Sequence, residues 1–397
     1  MKILHTADWH AGRVLKGQDR TPEIRDALQE VAEVAKQHEV DLILVAGDVY
    51  DKKNPSAEAE AAVYEFFLSV GEAGIPSVVI AGNHDRPSRL DAVSGLLGKT
   101  QACVVGEAKV AGEGGLFELN VNGELARVAA LPFVSERRIV RYADLLGHDP
   151  GQWTERYRRG MKLLIDNLTA DFTPDAVNLL LLHTTMEGAT LTNSEYSFHC
   201  GDSYTLSHDL LPERANYVAL GHIHKPQPIQ NFPEQAGRYA GSLIQLDFGE
   251  AGSDKHVYIV EAKAGKPTEL LDIHTLKSGK PLKNVRIDVG KDELDKKLHA
   301  VADFGGWLKL SIQLDRPRPG LKDRIKQQLP NALAVEFSFP EAEAVQVEKI
   351  DADKLDLVAA YRQFYEAQQA KSLDDDLKRL FVELLEERSD EVGAEAA

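Results

Sequence analysis

Hydrophobic residues in the first hundred positions follow two alternating rhythms. Short apolar runs at 3–6, 41–46 and 77–80 have the length and composition of buried strands. Between them, 22–38 and 56–70 carry apolar residues at three- and four-residue spacing, the period of a helix with one face turned inward. A shorter helix is expected around 90–97. Strands alternating with helices predict a largely parallel sheet covered by helices. From about Ala102 the pattern changes to short strands and turns. The segments 116–121 and 126–131 flank Asn122-Gly123, a pair suited to the left-handed backbone of a tight hairpin. Helical spacing returns at 152–169, and apolar strands follow at 176–182 and 217–220. A closing antiparallel hairpin is expected at 257–261 and 270–275, around Gly265. The mixture predicts two sheets with helices outside them.

Lys277-Ser278-Gly279-Lys280-Pro281 reads as a linker. Beyond it the periods alternate as 285–289, 292–302, 307–314, 320–329 and 334–339, a compact β-α-β-α-β pattern. The stretch 341–353 is acidic and breaks the pattern, 355–387 reads as two helices, and 389–397 is an acidic tail with nothing to bury. Three units are therefore expected: 1–276, a small α/β unit at 281–342, and a helical pair at 353–388. The sequence shows no internal repeats.

Composition narrows the class. A chain of 397 residues, 43% hydrophobic and 27% charged, has ample material for a buried core, and none of its apolar runs is long enough to span a membrane. The first residues lead straight into a strand with no signal-peptide layout, so a cytoplasmic protein is expected. Cys103 and Cys200 stand far apart, which argues against a disulfide framework and against a thiolate zinc site. A formal net charge of −17 argues against a protein that simply coats nucleic acid. It leaves room for an enzyme acting on phosphate esters, where bound cations supply the positive charge. Local basic clusters at Arg137, Arg138 and Arg141 and at Arg156, Arg158 and Arg159 are either solvated faces or polyanion contacts.

Candidate chemistry concentrates where strands end. Five apolar strands finish in metal-competent side chains: Asp8-Trp9-His10, Gly47-Asp48, Gly82-Asn83-His84-Asp85, His183, and Gly221-His222-Ile223-His224. Each alone reads equally well as a capped loop or a core histidine. Together, at the carboxyl ends of strands in an α/β sheet, they converge on one edge, where such sheets place their ligands. Asp8, His10, Asp48, Asn83, His183, His222 and His224 offer two carboxylates, one amide and four imidazoles, too many for one ion and suited to two. Asp48 is the natural bridge, because it follows the strand between Asp8/His10 and Asn83. Oxygen and imidazole without thiolate fit Mn²⁺, Fe²⁺ or Zn²⁺. Two ions about 3.5–4 Å apart activate water and clamp a phosphoryl group in line. The expected reaction is phosphoester hydrolysis. His84, one residue past Asn83, should face the substrate and stabilise charge or protonate the leaving oxygen. Asp85 either orients His84 or caps the loop.

These motifs, in this order, resemble those of the calcineurin-like metallophosphoesterases. The longer runs 3–10, 45–51 and 219–224, with His183-Thr184-Thr185 and Gly241-Ser242 followed by Asp247-Phe248-Gly249-Glu250, resemble its bacterial double-strand-break-repair nucleases more narrowly. The resemblance covers 1–275 by motif and the remainder only by layout. It implies a four-layered αββα sandwich and two Mn²⁺ ions. It also implies hydrolysis of DNA phosphodiesters, as exonuclease and endonuclease, alongside an SbcC-type ATPase in repair and recombination. Residue by residue, it implies Asp8, His10, Asp48 and His224 around one ion, and Asp48, Asn83, His183 and His222 around the other, with His84 catalytic. One position departs: archaeal relatives carry a second functional histidine where this chain has Asp51, which would instead support a ligand from behind. The same scaffold also serves metallophosphatases and cyclic-nucleotide phosphodiesterases. The long segment after the last motif and the presence of His84 favour the nuclease over these and over a non-catalytic metal scaffold.

Two sets of helices raise the question of partners. Ala61, Val63, Tyr64, Phe66, Phe67 and Val70, with Leu90, Val93, Leu96 and Leu97, either pack on the sheet or form a four-helix contact in a homodimer; the resemblance favours the dimer. Near the C-terminus, Ser372 and Asp375 make a helix start, and Leu373, Leu377, Leu380, Phe381, Leu384 and Leu385 form one apolar stripe. Leu357, Tyr361, Phe364 and Tyr365 line the preceding helix. These stripes pack on the body or dock the ATPase partner.

Overall fold

The computed structural model describes residues 1–135, 153–192, 195, 205–289 and 293–339, together with 361, 362, 365 and 377. Its first sheet grows from the alternation seen at the start of the chain. Strands β1 (Lys2–Thr6), β2 (Leu42–Val45), β3 (Ser77–Ile80) and β4 (Ala102–Val105) pair in that order, all parallel. The antiparallel hairpin of His256–Glu261 and Glu269–Thr275 completes the sheet on the other side of β1. Helices α1 (Thr21–Gln37), α2 (Ala57–Glu72) and α3 (Pro87–Leu97) connect the parallel strands. Prolines in the first turns of α1 and α3, and Ser56 accepting a hydrogen bond from the Ala59 amide at 3.2 Å, set where these helices begin.

The second sheet is built on β5 (Leu116–Val121), β6 (Glu124–Leu131), β7 (Val177–His183) and β8 (Tyr217–Gly221). Asn122 and Gly123, both at positive φ, form the hairpin between β5 and β6. Strands β6, β7 and β8 run parallel, and Gly237–Tyr239 and Gln227–Pro228 extend the sheet beyond β8. Helix α4 (Trp153–Thr169) covers its outer face.

Three apolar layers hold this together. Leu4, Ile43, Val45 and Val79 face Leu28, Val31, Phe66 and Phe67 of the outer helices. Ile3, Leu44, Val78 and Ile80 meet Val128, Leu179, Leu181 and Ala219 between the two sheets. Leu180, Leu182, Val218 and Leu220 pack on Tyr157, Met161, Ile165 and Leu168 of α4. The result is an α/β fold in four layers, αββα. Strands sandwiched on both faces must be apolar on both, which is why β2, β3, β7 and β8 read as continuous hydrophobic runs rather than alternating ones.

Three further strands, Leu282–Asp288, Trp307–Gln313 and Ala332–Ser338, form a separate parallel sheet with helices Leu294–His299 and Leu321–Gln328 and a core of its own around Leu298, Leu310, Ile312 and Ile325. It seats on the body where Leu282 packs against Leu15 and Phe248. Trp307 donates its indole N–H to Glu23 at 3.0 Å, and the same carboxylate takes the Arg20 guanidinium at 2.8 Å.

The structure adds strands that the sequence pattern does not predict. The stretch from Ala102 begins with a fourth parallel strand, where the pattern points only to short strands and turns; as the edge strand Ala102-Cys103-Val104-Val105, with Cys103 partly covered, it lacks the run of large aliphatic residues that marks β2 and β3. The three-residue strand Gly237–Tyr239 is too short to show a period. The basic cluster at 137–141, Cys200, and nearly all of the expected helical pair at 353–388 lie outside the described residues.

Candidate dinuclear metal centre

Every candidate ligand follows a strand at its carboxyl end, and the two sheets bring those ends together. Asp8 and His10 follow β1, Asp48 follows β2, Asn83 follows β3, His183 ends β7, and His222 and His224 follow β8. The backbone departs from ordinary conformations to aim them. Asp8, His10, Asp48 and His222 sit at φ +50°, +48°, +48° and +93°, where a side-chain-bearing residue costs roughly 1–3 kcal/mol. Of the nine non-glycine residues at positive φ among the described residues, these four gather at this edge. Glycines let the loops close on each other: a Cβ on Gly82 would run into the Asp48 carboxylate, and one on Gly221 into the Ala46 carbonyl.

The ligand atoms fall into two overlapping groups. Asp8, His10, Asp48 and His224 converge within 4.8 Å, and Asp48, His183 and His222 do the same, so Asp48 belongs to both. The Asn83 side-chain oxygen joins the second group, 3.0 Å from His183 Nε2 and 2.9 Å from His222 Nδ1. His10, Asp51 and His84 form a third group that shares His10.

The polar chemistry of these groups is that of cation sites. His10 Nδ1 donates to Asp51 at 3.2 Å and His224 Nδ1 donates to Glu250 at 3.3 Å. Those bonds leave both Nε2 atoms as lone-pair nitrogens, and they face each other at 3.1 Å. His183 donates Nδ1–H to the Ala46 carbonyl at 2.7 Å, which turns its Nε2 lone pair towards the Asn83 oxygen and Asp48, 3.4 Å away. Lone pairs set against lone pairs and carboxylates repel unless a metal ion or a proton lies between them. Asp8 adds a direct sign. One of its oxygens accepts the His222 amide at 2.9 Å, while Oδ2 is buried without a hydrogen-bond partner among the described residues. An orphaned carboxylate oxygen in a dry pocket is expected to hold a metal or a proton. The residues present fit two divalent ions.

Electrostatics agree. Burial pushes Asp8 up to about 6, despite His183 and His224. For Asp48 burial acts the same way but is outweighed by His183, His84 and His10, which hold it well below the carboxylate range. Burial lowers His183, yet Asp48 drives it up to about 9, so without a metal ion a proton on Nε2 takes the cation's place between His183, Asp48 and Asn83. His10, with burial dominant, falls to about 4.

His84 stands at the rim, half-buried, its ring edge-on to His10 with centroids 4.7 Å apart. Its amide donates to Asp48 at 2.9 Å, and its Nδ1 donates to the Asp51 carbonyl at 3.0 Å. A carbonyl only accepts, so Nδ1 carries the proton of that bond. Asp85 does not take the orienting part. Its two buried oxygens accept the amides of Gly82 at 2.8 Å, Tyr50 at 2.9 Å and Val49 at 3.1 Å, which ties the β3 loop to the β2 loop. Of the two readings for Asp85, the geometry supports the loop-capping one.

Three supporting carboxylates lie behind the ligands. Asp51 accepts from His10 and, at 3.3 Å, from Arg13. Glu195 accepts the His224 amide at 3.1 Å. Glu250 accepts from the His224 ring and binds Lys255. Two of them stand in runs that carry the resemblance, Asp51 three residues past Asp48 and Glu250 at the end of Asp247-Phe248-Gly249-Glu250, although the sequence assigns Glu250 no role; nothing local marks Glu195.

The chain has relatives among known proteins. The chain belongs to the calcineurin-like phosphoesterase family, whose family model matches residues 1–226. More narrowly, it is 34% identical over 388 residues to the SbcD subunit of nuclease SbcCD from Bacillus subtilis (strain 168), spanning 97% of this chain and 97% of that protein. Two solved structures also align. TT1561 of Thermus thermophilus has 14% identity and TM-score 0.34, covering 67% of this chain and 99% of that one. A dimetal phosphatase from Danio rerio has 12% identity and TM-score 0.37, covering 69% and 99%.

Proposed function

We propose that this chain is a manganese-dependent DNA nuclease that hydrolyses phosphodiester bonds at a two-ion centre. It would work as the nuclease subunit beside an SbcC-type ATPase in double-strand-break repair, in the cytoplasm. The observation that carries the metal chemistry is the sharing of Asp48 between two ligand groups, with Asp8 Oδ2 unpartnered beside them. The choice of DNA and of the ATPase partner is supported by the likeness to the SbcCD nuclease subunit along almost its whole length. The ligand sets are those named above: Asp8, His10, Asp48 and His224 for one ion, and Asp48, Asn83, His183 and His222 for the other. When bound, two divalent ions supply an activated water and positive charge for the phosphoryl group.

The chain's own residues supply the rest. Asp48 holds both positions at once and, through the His84 amide, fixes the β3 loop against them. His84, whose Nδ1–H is held by the Asp51 carbonyl, would act as the imidazolium, its Nε2–H giving the leaving oxygen a proton or stabilising its charge. Asp85 keeps the loop closed. Phe133, stacked on His222 at 6.1 Å between ring centroids, walls the second position and limits water there. We further assign 1–276 as the nuclease body, 281–342 as a cap that adds DNA-binding surface, and 353–388 as the ATPase-docking segment.

The test compares manganese-dependent hydrolysis of linear DNA with that of a phosphoserine peptide and a cyclic nucleotide, with and without the cognate ATPase and ATP. Cleavage of DNA alone is expected. Preferential hydrolysis of the peptide or the cyclic nucleotide would make the protein a phosphatase or small phosphodiesterase.

A further inference from the structure

Behind His224 lies a buried ion pair that none of the ligand motifs contains. Glu250 is 1% exposed and Lys255 5%. Glu250 follows His224 by 26 residues, and its Oε1 lies 3.3 Å from His224 Nδ1. Its other oxygen takes the Lys255 ammonium, the Ser242 hydroxyl at 3.3 Å and the Leu246 amide at 3.2 Å. Lys255 also donates to the His224 carbonyl at 3.0 Å and to Ser242 Oγ at 2.8 Å. One ammonium thus grips the backbone of a ligand and also the carboxylate behind that ligand's ring.

Stability alone does not call for such a pair. Two charges withdrawn from water are often replaced at no loss by apolar residues of the same volume. The pair does have a direction, because Glu250 meets the ring of His224 while Lys255 meets its carbonyl. We propose that Glu250 is a positioning residue for His224, held in place by Lys255, and that it sets the affinity of the ion position formed by Asp8, His10, Asp48 and His224. None of the contacts above reaches Asn83, His183 or His222, so the second position is left alone. Accepting Nδ1–H fixes the tautomer that turns the Nε2 lone pair into the site. The negative charge makes that nitrogen a stronger donor to a cation. This inference rests on the two-ion reading.

The test is a calorimetric titration of the metal-free, full-length protein with Mn²⁺, alongside its metal-free melting temperature. Glu250→Gln keeps the shape and removes the charge. The double variant Glu250→Gln/Lys255→Met also removes the ammonium that would otherwise be stranded, so a folded variant is available. The native protein is expected to take up two Mn²⁺ in two steps. In both variants one step weakens by about 10–100-fold, the usual size of such an effect, and the other does not move. A pair that merely stitches the loop would instead weaken both steps together, in proportion to the lost melting temperature, and that result overturns the proposal. So does a variant in which neither step changes. A native protein that binds fewer than two Mn²⁺ overturns the two-ion reading, and this proposal with it.

Discussion

His84 is oriented by backbone groups and by one carboxylate, its ring by the Asp51 carbonyl and its amide by Asp48. Removing its side chain leaves the bond from its amide to Asp48 in place. His84→Ala should retain both Mn²⁺ ions and lose on the order of 10²–10⁴-fold in cleavage rate, read by single-turnover hydrolysis of linear DNA. Loss of metal in that variant would make His84 a ligand through its group with His10 and Asp51. Asp8 has a different signature. Its folded value of about 6 lies above the ordinary 3.8, so the metal-free native state binds the proton more tightly than the unfolded chain does. Stability of the metal-free protein should then fall as pH rises from about 4 to 6, and stay lower above that. Asp8→Asn removes the cost, worth on the order of 2–3 kcal/mol at neutral pH. The variant should melt several degrees higher than the native metal-free protein at pH 7, and no higher at pH 4. Equal gains at both pH values would contradict the assignment. The residue types at this site are legible in the sequence because strand ends announce themselves. The partners of their second nitrogens are not, since a carbonyl offered by Asp51 or a carboxylate from Glu250 depends on loop paths no local pattern encodes.

Helices α2 and α3 show how far periodicity alone carries an interface. Their apolar positions fit both sheet packing and a homodimer. The structure divides them: Val63, Phe66, Phe67, Val70, Leu90 and Leu97 are buried in the body. Leu96, 67% exposed, faces outwards, with Tyr64 and Val93 partly covered, and Leu68 of α2, outside the predicted set, is 52% exposed. We propose that this remainder forms the homodimer contact. Four apolar side chains, two of them partly covered, yield a modest interface, so one charge should break it. Leu96→Glu is expected to leave melting temperature unchanged and convert a dimer to a monomer by light scattering at micromolar concentration. A native protein that is monomeric with and without DNA would contradict the contact. The same two-sided apolar pattern that obscures this face makes β2, β3, β7 and β8 easy to find, because a strand buried on both sides cannot alternate. Their edge neighbour β4, Ala102-Cys103-Val104-Val105 with Cys103 only partly covered, lacks the run of large aliphatic side chains that makes them visible.

The order of units along the chain separates metal chemistry from partner binding. The seven proposed ligands all precede residue 225, whereas the proposed docking segment begins beyond 352. Deleting the residues after Asp353 should spare manganese-dependent cleavage of single-stranded DNA and abolish co-purification with the ATPase. A truncated protein that still binds its partner, or that unfolds, would return the segment to the body. The centre itself is a property of both sheets together. Asp8, His10, Asp48 and Asn83 come from one sheet, and His183, His222 and His224 from the other, with Asp48 in both ligand groups. Counting Mn²⁺ per chain by native mass spectrometry, for the native protein and for Asp48→Asn, tests that assembly most directly. The native chain should hold two ions, and the variant should lose affinity for both, since one carboxylate serves two cations and its charge offsets their repulsion. An Asp48→Asn protein that still binds two Mn²⁺ with unchanged affinity would contradict the account.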